Sequence, residues 1–239
     1  MKLDILVIAA HPDDAELGCG GTIVKHTALG MKVGILDLTR GELGTRGTAQ
    51  TRDEEARTAS KIMGISIREN LHLADGFFQN DKESQLVIIR KIRQYQPDII
   101  LANATSDRHP DHGKAAELAY DSAFLAGLTK IETIDSDGQT QHAWRPKHVY
   151  HYIQSAFIQP DFIIDVTNEW DKKMEAIKAY RSQFFDPNSS EPQTFISRPE
   201  FLNFLDARAI ELGNIAGVKY AEGFTSHRYP VVTKLTDIY

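Results

Sequence analysis

Two short runs of ionisable residues carry most of the chemistry open to this sequence. They are His11-Pro12-Asp13-Asp14 and Asp107-Arg108-His109-Pro110-Asp111-His112. Each follows an apolar run, Ile5 to Ala10 in the first case and Ile99 to Leu101 in the second. Three ionisable side chains at the mouth of a buried strand are costly unless something compensates them. A divalent metal would do so. Catalytic zinc takes three N or O ligands and leaves a position open for water. His11, Asp14 and His112 supply two imidazoles and one carboxylate, and His109 fits the spacing as well as His112 does. Asp13 sits beside a ligand and points the other way, which makes it the candidate general base for a metal-activated water. An aspartate two residues past a histidine can accept from one ring nitrogen, so Asp111 is expected to orient His109. His109 would then stabilise an oxyanion or protonate a departing amine. Arg52 and Arg108 are candidates for holding substrate anions, because a guanidinium suits bidentate recognition of carboxylate or phosphate. The structural alternative for either cluster alone is ordinary: aspartates capping a helix and histidines on a surface loop. Exposed arginines likewise need no function.

The elements around these clusters explain how they could meet. Ile5 to Ala10 reads as a strand buried on both faces, as in a parallel sheet. Four strand-helix repeats follow. Strands are expected at Leu3–Ala10, Lys32–Thr39, within Ile65–Leu73 and at Asp98–Ala104. Helices are expected over Thr22–Leu29, from near Thr51 to Met63, from Asp81 or Ser84 to Tyr95, and from about Pro110 to Gly127. This pattern predicts an α/β, Rossmann-like, doubly wound and mainly parallel sheet with helices on both faces. In the order 3-2-1-4, strands 1 and 4 are neighbours at the point where the sheet changes direction. Ligands bind outside the carboxyl ends of strands there, and both clusters leave those two ends.

The second half is less regular. Thr129–Arg145 is a polar stretch read as a surface loop. Strands are expected at Lys147–Gln154 and Phe162–Val166, then a helix from Thr167 as N-cap to about Phe185. Asp186–Thr194 is turn-rich, a last helix spans about Pro199 to Leu212, and Lys219–Tyr239 is mixed. We expect one domain over residues 1–239, with a core to about 166 and a smaller C-terminal α+β portion from about 167.

Composition narrows the function classes. The 239 residues are 41% hydrophobic and 25% charged, typical of a globular protein, and the net charge of −6 argues against non-specific nucleic-acid binding. One cysteine, Cys19, cannot form an internal disulfide or a cysteine-rich zinc site, so a reducing, cytoplasmic setting is the default. No apolar stretch approaches the ~20 residues of a membrane span. Gly18, Gly20 and Gly21 miss the dinucleotide spacing.

At Ala10-His11-Pro12-Asp13-Asp14-Ala15-Glu16 and His109-Pro110-Asp111-His112, the sequence resembles the LmbE-like (PIG-L) family of zinc-dependent N-deacetylases. Thr51-Arg52-Asp53-Glu54-Glu55-Ala56, Tyr180-Arg181-Ser182-Gln183-Phe184 and Tyr220-Ala221-Glu222-Gly223-Phe224 extend the likeness toward the bacillithiol-biosynthesis branch. The resemblance implies hydrolysis of N-acetylglucosaminyl-malate, or of another N-acetylglucosamine derivative. It implies Zn2+ on His11, Asp14 and His112, with Asp13 as base. His109, oriented by Asp111, would be the oxyanion or amine partner, and Arg52 would bind substrate. It also implies a homo-oligomer, with a hexamer as the suggested assembly, acting on a small amino-sugar glycoside. A non-catalytic sugar-binding protein with a vestigial metal is the more distant alternative. Some members place a tyrosine near the start of the last helix. Phe201 stands at about that position in this chain, so either that role is absent or another residue such as Tyr180 or Tyr229 fills it.

Overall fold

The computed structural model describes residues 1–184 and 189–237. Its centre is β1 (Ile5–Ala9), buried at every position. Side chains on a strand alternate between faces. Ile5, Val7 and Ala9 enter one core, while Leu6, Ile8 and Ala10 enter the other. That is why six consecutive apolar residues are needed here rather than an alternating pattern.

In chain order there follow α1 (Asp14–Ala28), β2 (Val33–Asp37), α2 (Ala49–Met63), β3 (Ile67–Asn70), α3 (Lys82–Tyr95), β4 (Ile99–Ala102) and α4 (Pro110–Ala126). Then come β5 (His148–Tyr152), β6 (Phe162–Asp165), α5 (Trp170–Lys178), α6 (Pro199–Ala216) and β7 (Ala221–Ser226). The sheet has seven strands in the order β3-β2-β1-β4-β5-β7-β6. The first five in that order are parallel, and β7 is antiparallel to both neighbours. Ile8 pairs with Leu36 on one side and Ala102 on the other, so β1 and β4 end side by side. Helices α1, α2 and α5 pack together on one face, and α3 and α4 on the other.

Most expected elements form, and the differences have local causes. Helix α1 starts at Asp14, eight residues before the expected Thr22, and runs through the three glycines with a kink at Cys19 (φ −143°). The glycines serve close packing. A Cβ on Gly18 would lie 2.2 Å from the Tyr152 ring, and one on Gly21 would lie 2.8 Å from Val166 Cβ. Helix α5 is shorter than the expected 167–185. Glu169 is its N-cap, Lys178 ends it, and the Thr167 hydroxyl instead accepts from the Tyr220 backbone N–H. The expected end near Phe185, and residues 186–188 of the turn-rich stretch, lie outside the described residues. Helix α6 continues past Gly213, the expected stop, to a left-handed Gly217 cap. Gly213 is needed where the chain doubles back, since a Cβ there would lie 2.7 Å from the Lys219 carbonyl oxygen. The polar 129–145 stretch holds only an isolated bridge between Ile134 and Thr140.

Candidate active site

The loop leaving β1 turns sharply at Asp13, whose φ of 113° is in a region costly for a residue with a Cβ. Asp13 stands at the N-cap position of α1, but its side chain makes no capping bond. It turns instead to Arg52 of α2, whose Nη2 donates to Asp13 Oδ2 at 2.8 Å and also to the Pro12 carbonyl. Both side chains are buried. Burial pushes the Asp13 carboxyl up to about 7, against the lowering pull of the Arg52 charge.

Asp14 lies between two imidazoles. Its Oδ2 is 3.4 Å from His11 Nδ1, and its Oδ1 is 3.1 Å from His112 Nε2. Two ligand atoms held at about 2.0–2.1 Å from one tetrahedral zinc are themselves about 3.3 Å apart. The outer nitrogens are held by carboxylates. His11 Nε2 is 3.0 Å from Asp75 Oδ1 and 3.3 Å from Asp111 Oδ2, and His112 Nδ1 is 2.5 Å from Asp107 Oδ2. Metal-binding histidines commonly have their second nitrogen held this way. Burial alone would lower both imidazoles. The carboxylates around them win, raising His11 well above its ordinary value and His112 to about 9. A group of carboxylates that draws protons onto two histidines has the charge balance a divalent cation would satisfy, and metal binding would displace those protons. The donor set therefore fits a metal.

His109 faces the same space. The nitrogens of His11, His109 and His112 lie within 4.8 Å of one another, so three imidazoles converge. The His109 and His112 rings stack at 5.2 Å. His112 has the carboxylate backing of Asp107, whereas His109 Nδ1 accepts from the Asp111 backbone N–H at 3.3 Å. That bond places the His109 proton on Nε2. The expected pairing of the Asp111 carboxylate with His109 does not form. Asp111 opens α4, which turns its side chain inward to His11 Nε2, the Gly76 N–H and Lys114 Nζ. Burial first, then the neighbouring His11 and His112, hold the His109 pKa below its ordinary value.

These residues form the floor of a cavity of about 430 Å³. One wall comes from α6 and the segment before it, with Phe195, Phe201, Phe204 and Leu205. Arg52 and Arg108 both line the cavity. Arg52 is engaged on Asp13, while the exposed Arg108 lies over the Phe195 ring at 4.3 Å. Neither candidate tyrosine reaches it. Tyr180 is fully buried and donates to Glu16 Oε1, and Tyr229 is exposed elsewhere. Phe201 puts an apolar ring, not a hydroxyl, in the wall.

Sequence reasoning missed Asp75, Asn103, Gln154 and the part played by Asp107. Asn103 and Asp75 follow β4 and β3, and each is a lone polar residue whose role depends on neighbouring strands. Asp107 stood within the quoted run without an assigned role.

Comparison with known proteins adds to this picture. Residues 6–123 match the PIG-L family model, described as GlcNAc-PI de-N-acetylase. A solved conserved protein of Thermus thermophilus is 36% identical, covers 98% of both chains and superposes with a TM-score of 0.86. Diacetylchitobiose deacetylase of Thermococcus kodakarensis is 29% identical, over 92% of this chain and 81% of its own. A 4-oxalmesaconate hydratase of Pseudomonas putida is 26% identical, over 96% of this chain and 90% of its own.

Proposed function

Since this chain belongs to the PIG-L (LmbE-like) deacetylase family, we propose that it hydrolyses the N-acetyl amide of an N-acetylglucosamine derivative. The observation that carries the reading is Asp13. It is a buried carboxylate held by Arg52 that lines the same sugar-sized cavity as His11, Asp14, His109 and His112.

His11, Asp14 and His112 would hold the metal, which we take to be Zn2+. When bound, it supplies Lewis acidity and lowers the pKa of water toward ~7. Asp13 accepts the proton of the attacking water, the part a positioned carboxylate plays as general base. Arg52 fixes the direction of that carboxylate. His109 Nε2–H donates to the oxygen that becomes negative as the amide carbonyl is attacked. The proton held by Asp13 then passes to the sugar nitrogen, the C–N bond breaks, and acetate and a free amine result.

The finer proposal is the substrate N-acetylglucosaminyl-malate, hence a place in bacillithiol biosynthesis. Two Bacillus relatives are named for that malate substrate. Arg108 at the cavity mouth would read a malate carboxylate. Diacetylchitobiose is the competing substrate, and its neutral second sugar would lie on the Phe195 and Phe204 wall. A cytoplasmic location, suggested by the lone Cys19, and a hexameric assembly belong to the same proposal, and light scattering tests the second.

The hydratase relative favours a second reading, because a water-activating floor also serves addition of water to a double bond. One experiment separates these readings. Acetate release is measured from N-acetylglucosaminyl-malate, diacetylchitobiose and N-acetylglucosamine, with zinc-loaded and chelator-stripped protein. Zinc-dependent release is expected. Preference for the malate glycoside supports the finer reading, preference for the disaccharide overturns it, and no release from any substrate overturns deacetylation.

A further inference from the structure

We propose that Asn103 and Gln154 form an amide clamp on Asp14 that sets how tightly the site holds its divalent metal. The proposal rests on the reading of Asp14 as a ligand. The hydrogen bonds allow each amide one orientation. The Ala10 backbone N–H donates to Asn103 Oδ1 at 2.8 Å. An amide nitrogen could not accept that bond, so Asn103 Nδ2 must face the other way. There it donates to Asp14 Oδ2 at 3.0 Å and to Gln154 Oε1 at 2.9 Å. Gln154 Oε1 also accepts from the Ala104 N–H at 3.2 Å, which leaves its Nε2 to donate to Asp14 Oδ1 at 3.0 Å. Each carboxylate oxygen of Asp14 thus carries one side-chain amide proton. The His11 backbone N–H adds a third donor, on Oδ2 at 3.0 Å.

The placement of the two amides explains the effect. Ala10, Asn103 and Gln154 lie just past the ends of β1, β4 and β5, three adjacent strands. The clamp therefore references Asp14 to the sheet and not to the strained loop that carries it. Asn103 is completely shielded from solvent, so water cannot replace its donor. These donors are uncharged, so they fix the carboxylate without adding a cation that would compete with the metal. Without them Asp14 could rotate onto either imidazole, and the ligand atoms would no longer converge. Asn103 and Gln154 are positioning residues that act through Asp14.

The test is zinc affinity of the full chain by competition with a chromogenic chelator, together with thermal melting of the metal-free protein. The panel is wild type, Asp14→Ala, Gln154→Glu, Gln154→Met and Asn103→Ala. Gln154→Glu keeps shape and the acceptor for Ala104, but presents an oxygen to Asp14. Gln154→Met keeps length without the donor. Both are expected to bind zinc about 10–100-fold more weakly, the loss typical when an outer partner of a ligand is removed. A purely structural role would lower the metal-free melting temperature and leave zinc affinity alone. Asn103→Ala is expected to weaken zinc at least as much. It also strands the Ala10 N–H, so the Gln154 variants decide the matter if it fails to fold. Wild-type affinity in both Gln154 variants, with binding lost in Asp14→Ala, overturns the clamp alone. Wild-type affinity in Asp14→Ala overturns the ligand reading and the clamp with it.

Discussion

Arg52 Nη2 lies 2.8 Å from Asp13 Oδ2, and both side chains are buried. The arginine expected to meet a substrate anion already meets the carboxylate proposed as general base. Its bonds to Asp13 and to the Pro12 carbonyl both leave from Nη2, and a lysine, one bond shorter, would hold its ammonium short of that position. Arg52→Lys is expected to fold and bind zinc like the wild type but to lose about 10²-fold in kcat, the scale of a misplaced catalytic group. Unchanged kcat with a raised KM would return Arg52 to substrate binding.

Asp13→Asn removes the proposed base and keeps the shape. Turnover should fall by about 10²–10⁴-fold, the usual contribution of a positioned general base. Zinc content, read by elemental analysis, should stay at the wild-type level, because the Asp13 carboxylate is paired with Arg52 and is not among the proposed ligands. Wild-type rates in this variant would remove Asp13 from the mechanism.

Gly18 and Gly21 precede the helix expected from Thr22, yet both lie inside α1. They are there because Tyr152 and Val166 come too close for a Cβ. Val166 is buried and β-branched, so it has little freedom to give way. Gly21→Ala should destabilise the fold by about 1–3 kcal/mol, the usual cost of overpacking. Urea unfolding measures this, and a stabilised variant would show that α1 does not pack as described.

The residues that could be read from sequence are those whose meaning is local. His11 with Asp14, and His109 with His112, are each three positions apart at the end of an apolar strand, so strand, turn and ligands are visible together. The order of the first four strands followed from the same repeats, because short connections leave few parallel topologies. What could not be read depends on through-space neighbours. Asp111 looks like the partner of His109 because it is two residues away. The first turn of α4 sends its carboxylate to His11 instead, a hundred residues back in the chain. Asp75, Asn103 and Gln154 follow β3, β4 and β5, and only the completed sheet brings them around His11 and Asp14.

His151 of β5 gives a pH dependence separate from the chemistry. It is buried, its Nδ1 donates to the Asn103 carbonyl at 2.9 Å, and its Nε2 is 3.1 Å from His227 Nε2, with Tyr120 beside both rings. Burial, helped by His227 and opposed by the Asn103 carbonyl, lowers its pKa to about 4. In the unfolded chain a histidine titrates near ~6.5. Between those values the unfolded state binds the extra proton, so stability rises with pH across that window. The contribution is complete above about pH 6.5 and is lost as the pH falls toward 4, amounting to about 3 kcal/mol at roughly 1.4 kcal/mol per unit. His151→Gln keeps a donor for the Asn103 carbonyl but cannot titrate. Unfolding free energies from denaturant melts should therefore lose that part of their slope between pH 4 and 6.5. An unchanged slope would mean that His151 is not held neutral in the folded protein.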